Sequence, residues 1–312
     1  MGKGESGDLN TEKTIVRERN GTMALKEHLA SGKFVRIVEL QPPKGNNLAE
    51  VFEQAERLKG RVDGVSVPDL PHAIMKLGSL SLCVLLKEKG FETLFNLSCR
   101  DRNRLALQSE ILNASALGLK NILFLQGDHP SLGDHPEAKP VFDLDLIGLL
   151  GAARRLREGY DLAGNELQGK PDFFVGAEIH GTFKGQGLER EFAEMEKKTR
   201  LGVDFFVTDS VYDVDLFGAF VKQAAPFKVP ILVSITLLKS VGMARYINQH
   251  MEGPSIPDSI IDRLMKAPDK REASIGIAAD LIKALRPLCQ GVRIVPLGWE
   301  GLVPFLVDRL GE

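Results

Sequence analysis

Short apolar runs rich in Val, Ile and Phe recur along the chain, each followed by a longer stretch with helical spacing, and this alternation is the sequence sign of parallel βα units. Eight runs are expected as strands: 34–40, 62–67, 93–98, 121–126, 172–177, 204–208, 230–235 and 292–296. Several are apolar at consecutive positions, as strands covered on both faces are. Helix starts are expected at Asp101, ahead of Arg102–Leu117, and at Pro257-Asp258, ahead of Ile260–Met265, while Gly118 and Gly202 mark helix ends. Eight units over about 290 residues match the size and count of a closed (β/α)8 TIM barrel. The alternative is an open doubly wound sheet. No G-x-G-x-x-G follows the first strand, however, and Pro42-Pro43-Lys44-Gly45 occupies that turn.

Residues 1–22 are expected to form a flexible polar tail and 23–312 a single barrel domain. Met1-Gly2-Lys3-Gly4-Glu5-Ser6 formally matches a myristoylation pattern but is read as part of that solvated tail. The segments 127–142 and 159–171 are long for α/β connections and are candidate functional loops.

Charge excludes several function classes. With 40 basic residues against 42 acidic ones and no long block of either sign, no footprint for nucleic acid is evident. No apolar stretch approaches the roughly 20 residues that span a bilayer, and no apolar secretory segment stands near the N-terminus, so a cytoplasmic protein without membrane contact is expected. Cys83, Cys99 and Cys289 form no close pair or repeated spacing, which argues against disulfides, zinc or iron–sulfur ligation and for reduced packing residues.

In a parallel barrel the chemistry sits where strands end. Glu39 closes the first apolar run just before Gln41-Pro42-Pro43, where the strand cannot continue. Half buried at the mouth, it would have a raised pKa, as a general acid needs; the plainer alternative is a solvated carboxylate or a salt bridge to Arg36 or Lys44. Asp128 follows Leu123-Phe124-Leu125-Gln126-Gly127, where the glycine would let backbone approach a flat ligand; the alternative is an Asx turn or a helix cap. His129 and His135, with Asp128 and Asp134, lack an established metal-ligand spacing, and no metal is expected. Ser98–Arg104 opens a helix with guanidinium groups beside the mouth, suited either to an anion or to a solvated first turn. Lys198 could reach a phosphate or form an ordinary i,i+4 surface pair with Glu194.

Taken in order, these motifs are specific. Glu39-x-x-Pro42-Pro43, Ser98-Cys99-Arg100-Asp101, Gly118-x-x-Asn121-Ile122-Leu123 running to Gly127-Asp128, Lys139-Pro140, and Lys198 ahead of Gly202 and Phe206-x-Thr208 together resemble methylenetetrahydrofolate reductase over roughly residues 23–311. The resemblance implies a barrel that binds a flavin, FAD or else FMN, at the strand C-termini and reduces methylenetetrahydrofolate to methyltetrahydrofolate. It assigns Glu39 to the proton that opens the methylene bridge to an iminium ion, and Asp128 to a position between flavin and pterin. Glu39, Asp128 and Asp209 are the implied folate contacts. Asn96, Gln126, Gly127, Asp128, Phe142 and Lys198 are the implied flavin contacts, with Lys198 at a phosphate.

Several positions depart from the bacterial pattern. Pro68 stands for a threonine, Asn96 for a histidine, Gln126 for an arginine and Asp209 for a glutamine, and Thr236-Leu237-Leu238 lacks an aromatic that would stack on nicotinamide. The electron donor is therefore open between NADH or NADPH and a partner subunit, and the protein is expected either as a homo-oligomer or in an electron-transfer complex. Two further readings remain: a folate-binding or methyl-transfer subunit that has lost flavin, and a non-catalytic assembly subunit, for which the presence of both Glu39 and Asp128 is awkward.

Overall fold

A computed structural model describes residues 24–251, 253 and 255–311. The expected tail and the myristoylation-like hexapeptide lie outside the described residues. Among them, eight strands close into one parallel barrel: β1 (Val35–Glu39), β2 (Gly64–Val67), β3 (Thr93–Ser98), β4 (Asn121–Leu125), β5 (Phe174–Ile179), β6 (Phe205–Ser210), β7 (Ile231–Thr236) and β8 (Gly291–Val295). They pair in sequence order, and β8 returns to β1 with Val35 opposite Gly291. This is the (β/α)8 architecture, with helices in the crossovers. Among the described residues no helix is long and apolar enough to cross a membrane.

Two apolar layers hold the barrel. The outer layer lies between strands and helices and includes Val38, Val65, Phe95, Ile122, Phe206, Val233 and Ile294. The inner one fills the barrel and contains Val35, Ile37, Leu94, Leu123, Phe174, Phe205, Val207 and Leu232. Successive strand residues point to opposite faces, so each strand feeds both layers. Phe174 and Phe205 stack at 5.0 Å across β5 and β6. Gly176 is needed beside them, because a Cβ there would lie 2.4 Å from the Phe205 ring. The N-terminal helix Ala24–Ala30 adds Leu25 and Leu29 to the inner layer and closes the barrel floor, an element absent from the sequence expectations.

The helix expected from Asp101 begins at Arg104, and its cap is Asn103, whose side chain accepts from the Ala106 N–H. Asp101 instead holds the Arg100 guanidinium, at 2.8 Å and 2.7 Å. The helix Asp258–Lys266 forms as expected, and Gly118 and Gly202 end their helices at φ +72° and +84°. Cys83, Cys99 and Cys289 are free and buried, and burial pushes their thiols up to about 12, 12 and 11.

Candidate active site

The inward-facing residues change character along the barrel axis. Ile37, Leu94, Phe174 and Val207 belong to the inner apolar layer. Two residues further on, or four on β5, the same faces carry Glu39, Asn96, Glu178 and Asp209. These polar side chains emerge at the C-terminal mouth and line a cavity of about 610 Å³ with Gln126, Gly127, Asp128 and Arg293. Of the residues the sequence singled out, Phe142 and Lys198 are not among its lining. Phe142 packs against the outer layer, at φ +39°.

Glu39 is 5% exposed, buried rather than half-buried, and its partner is neither Arg36 nor Lys44. Arg36 donates to the Gly311 carbonyl and Lys44 pairs with Asp134. The partner is Arg293 on β8, at 3.9 Å, while Gln41 donates to the other carboxylate oxygen at 3.4 Å and is itself held by Lys76 at 2.5 Å. Asp128 neither forms an Asx turn nor caps a helix. His129 caps the short helical turn Pro130–Leu132, and Asp128 faces the His72 ring at 3.5 Å. That imidazole holds the Asp128 carboxyl below its ordinary range, and Asp128 raises His72 in return. Three residues in the left-handed region, Leu70, His72 and Ala73, shape the loop that presents the imidazole. Such strain collects at functional sites.

Gly127 is required, but for packing. At φ +85°, a Cβ would sit 3.1 Å from Ser98 and 3.2 Å from Arg100, the side chains that close β3. Arg100 is 2% exposed and ties the Leu70 and Asp128 carbonyls together, at 3.1 Å and 3.2 Å, while Arg102 clasps Asp69. Neither guanidinium is in a solvated first turn or free for an anion. Lys198 is buried too. It donates to the Glu178 carbonyl at 2.9 Å and to Glu191 at 3.3 Å, and the surface pair with Glu194 is made by Lys197 instead. His129 and His135 bond to Ser131 and Asp134. Among the described residues no group of three or more His, Cys, Asp or Glu is arranged to hold a metal.

The sequence reading missed Glu178, His180, Arg293 and His72. Glu178 and His180 fell beyond a strand expected to stop at Ala177, whereas β5 runs to Ile179. Arg293 carried a signal, as the one charged residue in an otherwise apolar strand, Gly291–Val295. His180 Nδ1 and Asp209 Oδ2 face each other at 3.5 Å beside the same cavity, whereas Arg293 Nε and the buried Asn96 Nδ2 have no hydrogen-bond partner among the described residues. Buried polar atoms are normally paired, so their concentration here marks a place where a ligand supplies the partners. Burial pushes the Glu178 carboxyl up against the pull of the Gln126 N–H, which it accepts at 2.6 Å, and of His180, Lys198 and Arg293. Burial lowers His180, but Asp209 at 3.5 Å prevails and raises it.

These shifts share a sign. A carboxyl or imidazole that holds its proton more tightly when folded contributes stability at low pH that is lost as pH climbs past its folded value. Glu178, His180 and His72 are raised in this way, so unfolding stability is expected to decline from roughly pH 4.5 upward through neutrality. Glu178→Gln is expected to flatten that decline. Parallel melting-temperature curves for wild type and variant across about pH 5 to 8 would show that Glu178 ionises freely.

A family model described as methylenetetrahydrofolate reductase matches residues 24–310, which is the whole barrel. The chain belongs to the methylenetetrahydrofolate reductase family. Relatives include methylenetetrahydrofolate reductase 2 of Schizosaccharomyces pombe, 27% identical over 63% of this chain and 31% of its own length. Methylenetetrahydrofolate reductase (NADH) 1 of Arabidopsis thaliana is 26% identical over 64% and 34%. The chain thus spans about a third of the length of these curated relatives. Among solved structures, a Clostridium thermocellum protein that binds two copies of 5-methyl-5,6,7,8-tetrahydrofolic acid superposes with a TM-score of 0.55 over 92% of this chain and 97% of its own. At 15% identity that likeness shows the fold alone, as does a 2,3-dimethylmalate lyase with a TM-score of 0.52 and 10% identity. Membership in the reductase family therefore rests on sequence.

Proposed function

We propose that this barrel reduces methylenetetrahydrofolate to methyltetrahydrofolate with a bound flavin, FAD or else FMN. The observation that carries the reading is the pair of buried donors that have no partner among the described residues, Asn96 Nδ2 and Arg293 Nε, on residues that line one cavity with Glu39, Asp128 and Asp209 in a chain of this family. Donors suit the heteroatom edge of a flavin or a pterin, and about 610 Å³ falls in the ordinary range of cofactor sites. Asn96, Gln126, Gly127 and Asp128 would hold the ring. Lys198, behind Glu178, and Phe142, in the loop after Asp128, lie outside the cavity lining and are the further flavin contacts that the resemblance implies, Lys198 at a phosphate through its remaining N–H. A bound flavin would supply the hydride. Asp128 and Asp209 bind and orient the folate by accepting from its N–H groups. Glu39, held in place by Gln41 and Arg293, donates the proton that opens the methylene bridge. Burial at the mouth excludes water from that transfer.

A specific observation favours a second reading, a flavin-free folate-binding or methyl-transfer subunit: Arg100, Arg102 and Lys198, the cations that the sequence offered to a phosphate or other anion, are already bound to protein groups. The spectrum separates the two. Purified protein, as isolated or after reconstitution with FAD or FMN, is expected to show the yellow absorbance of bound oxidised flavin; protein that retains neither would favour the second reading. We place the enzyme in the cytoplasm, in the one-carbon metabolism that feeds methionine synthesis. Its electrons come from NADH or NADPH, as the names of relatives suggest, or from a partner subunit, and the chain works as a homo-oligomer or within such a complex.

A further inference from the structure

The mouth cavity has two chemically different sides. One is polar: Glu39, Asn96, Asp128, Glu178, Asp209 and Arg293. The other is apolar, and the helix Val241–His250 and the residue after it contribute Met243, Tyr246, Ile247 and Met251 to it. Their spacing of three, four and eight residues places them on one helical face. Ile247 is buried and anchors that face, whereas Tyr246 is 60% and Met251 51% exposed. A large aromatic this open at the rim of a cavity has a ring face without a partner. Its orientation is fixed from behind, because the His250 ring lies 4.6 Å away, tilted by 39°. The turn after β7 provides no aromatic, and Leu237 and Leu238 are buried in the outer layer.

We propose that Tyr246, flanked by Met243 and Met251, is the platform on which the pterin ring of a reduced folate lies, its N–H edge turned to the carboxylates opposite. The proposal rests on the folate reading above and adds to it the residue that grips the ring. Hydrogen-bond acceptors select the occupant. Four carboxyl groups, Glu39, Asp128, Glu178 and Asp209, line the cavity. Of the arginines there, Arg100 is committed to Asp101 and two carbonyls, and Arg293 stands beside Glu39. The mouth suits a pterin, whose amino group and ring N–H groups are donors, and the exposed Asp128 carboxylate is an acceptor for them. A planar ring with one apolar face and one donor edge fits between the two sides.

The test is calorimetric titration of the full chain with 5-methyltetrahydrofolate and, separately, with NADH. Stacking of a planar heterocycle on an aromatic side chain is typically strong enough that Tyr246→Ala should weaken 5-methyltetrahydrofolate binding by about ten-fold or more, while Tyr246→Phe stays within about two-fold. Because Tyr246 is exposed, the melting temperature should be unchanged. Wild-type binding that Tyr246→Ala leaves intact overturns the platform alone, and so does a loss confined to NADH. Wild-type protein that binds no 5-methyltetrahydrofolate overturns the folate reading together with the platform.

Discussion

Glu39→Gln is expected to keep its flavin and to pass electrons to an artificial acceptor at the wild-type rate, yet to lose nearly all reduction of methylenetetrahydrofolate. A positioned acid typically contributes about 100- to 10,000-fold, or roughly 3 to 5 kcal/mol of barrier. The amide preserves the shape of the side chain and can still accept from Gln41, which donates to Glu39 at 3.4 Å. What it lacks is the acidic proton. The loss should therefore fall on the rate of the chemical step, whereas a defect confined to binding would appear in the Michaelis constant. Stopped-flow reoxidation of pre-reduced protein by methylenetetrahydrofolate, wild type beside variant, reads the step directly. Near-equal rates would remove Glu39 from the mechanism and turn attention to Glu178, the mouth carboxyl that burial pushes toward its protonated form.

Why Glu39 was visible in the sequence and Glu178 was not follows from how a barrel strand ends. Gln41-Pro42-Pro43 stops β1 within two residues of Glu39, so position alone put that carboxylate at the mouth. Nothing comparable stops β5. Ile179 continues the strand past Glu178, and its pairing with Thr208 on β6, a tertiary fact, sets the end. The eight strands themselves were legible because a strand buried on both faces must be apolar at nearly every position. Boundaries moved by one or two residues at most ends, which matters little to the fold and much to the site. The Asp128–His72 pair was hidden for another reason. It joins residues 56 positions apart in two irregular loops, through a left-handed turn that no periodicity encodes. Asp209 sits where the β6–β7 register slips between Val207 and Ser210, a device that re-aims a side chain without marking the sequence. Lys198 was found, but with the wrong neighbour. Glu194 and Glu191 are both on its helix, and only packing shows that the face carrying Glu191 is buried.

That packing leads to the second large effect. Lys198 and Glu191 have side chains about 6% exposed, and the lysine also holds the Glu178 carbonyl at the end of β5. Removing one member of a buried ion pair leaves the other charge uncompensated, at a typical cost of about 3 to 5 kcal/mol. Lys198→Met is accordingly expected to lower the melting temperature by on the order of 5 to 10 °C, since a domain of this size shifts by roughly 2 °C per kcal/mol. Replacing both partners with apolar residues of similar volume, Lys198→Met with Glu191→Leu, removes the stranded carboxylate and should recover most of that loss. The double variant also isolates the proposed phosphate contact. If Lys198 meets a flavin phosphate, the restored fold should still bind FAD more weakly than wild type, while its affinity for riboflavin, which has no phosphate, is unchanged. Equal FAD affinity in the double variant and the wild type would confine Lys198 to holding the end of β5.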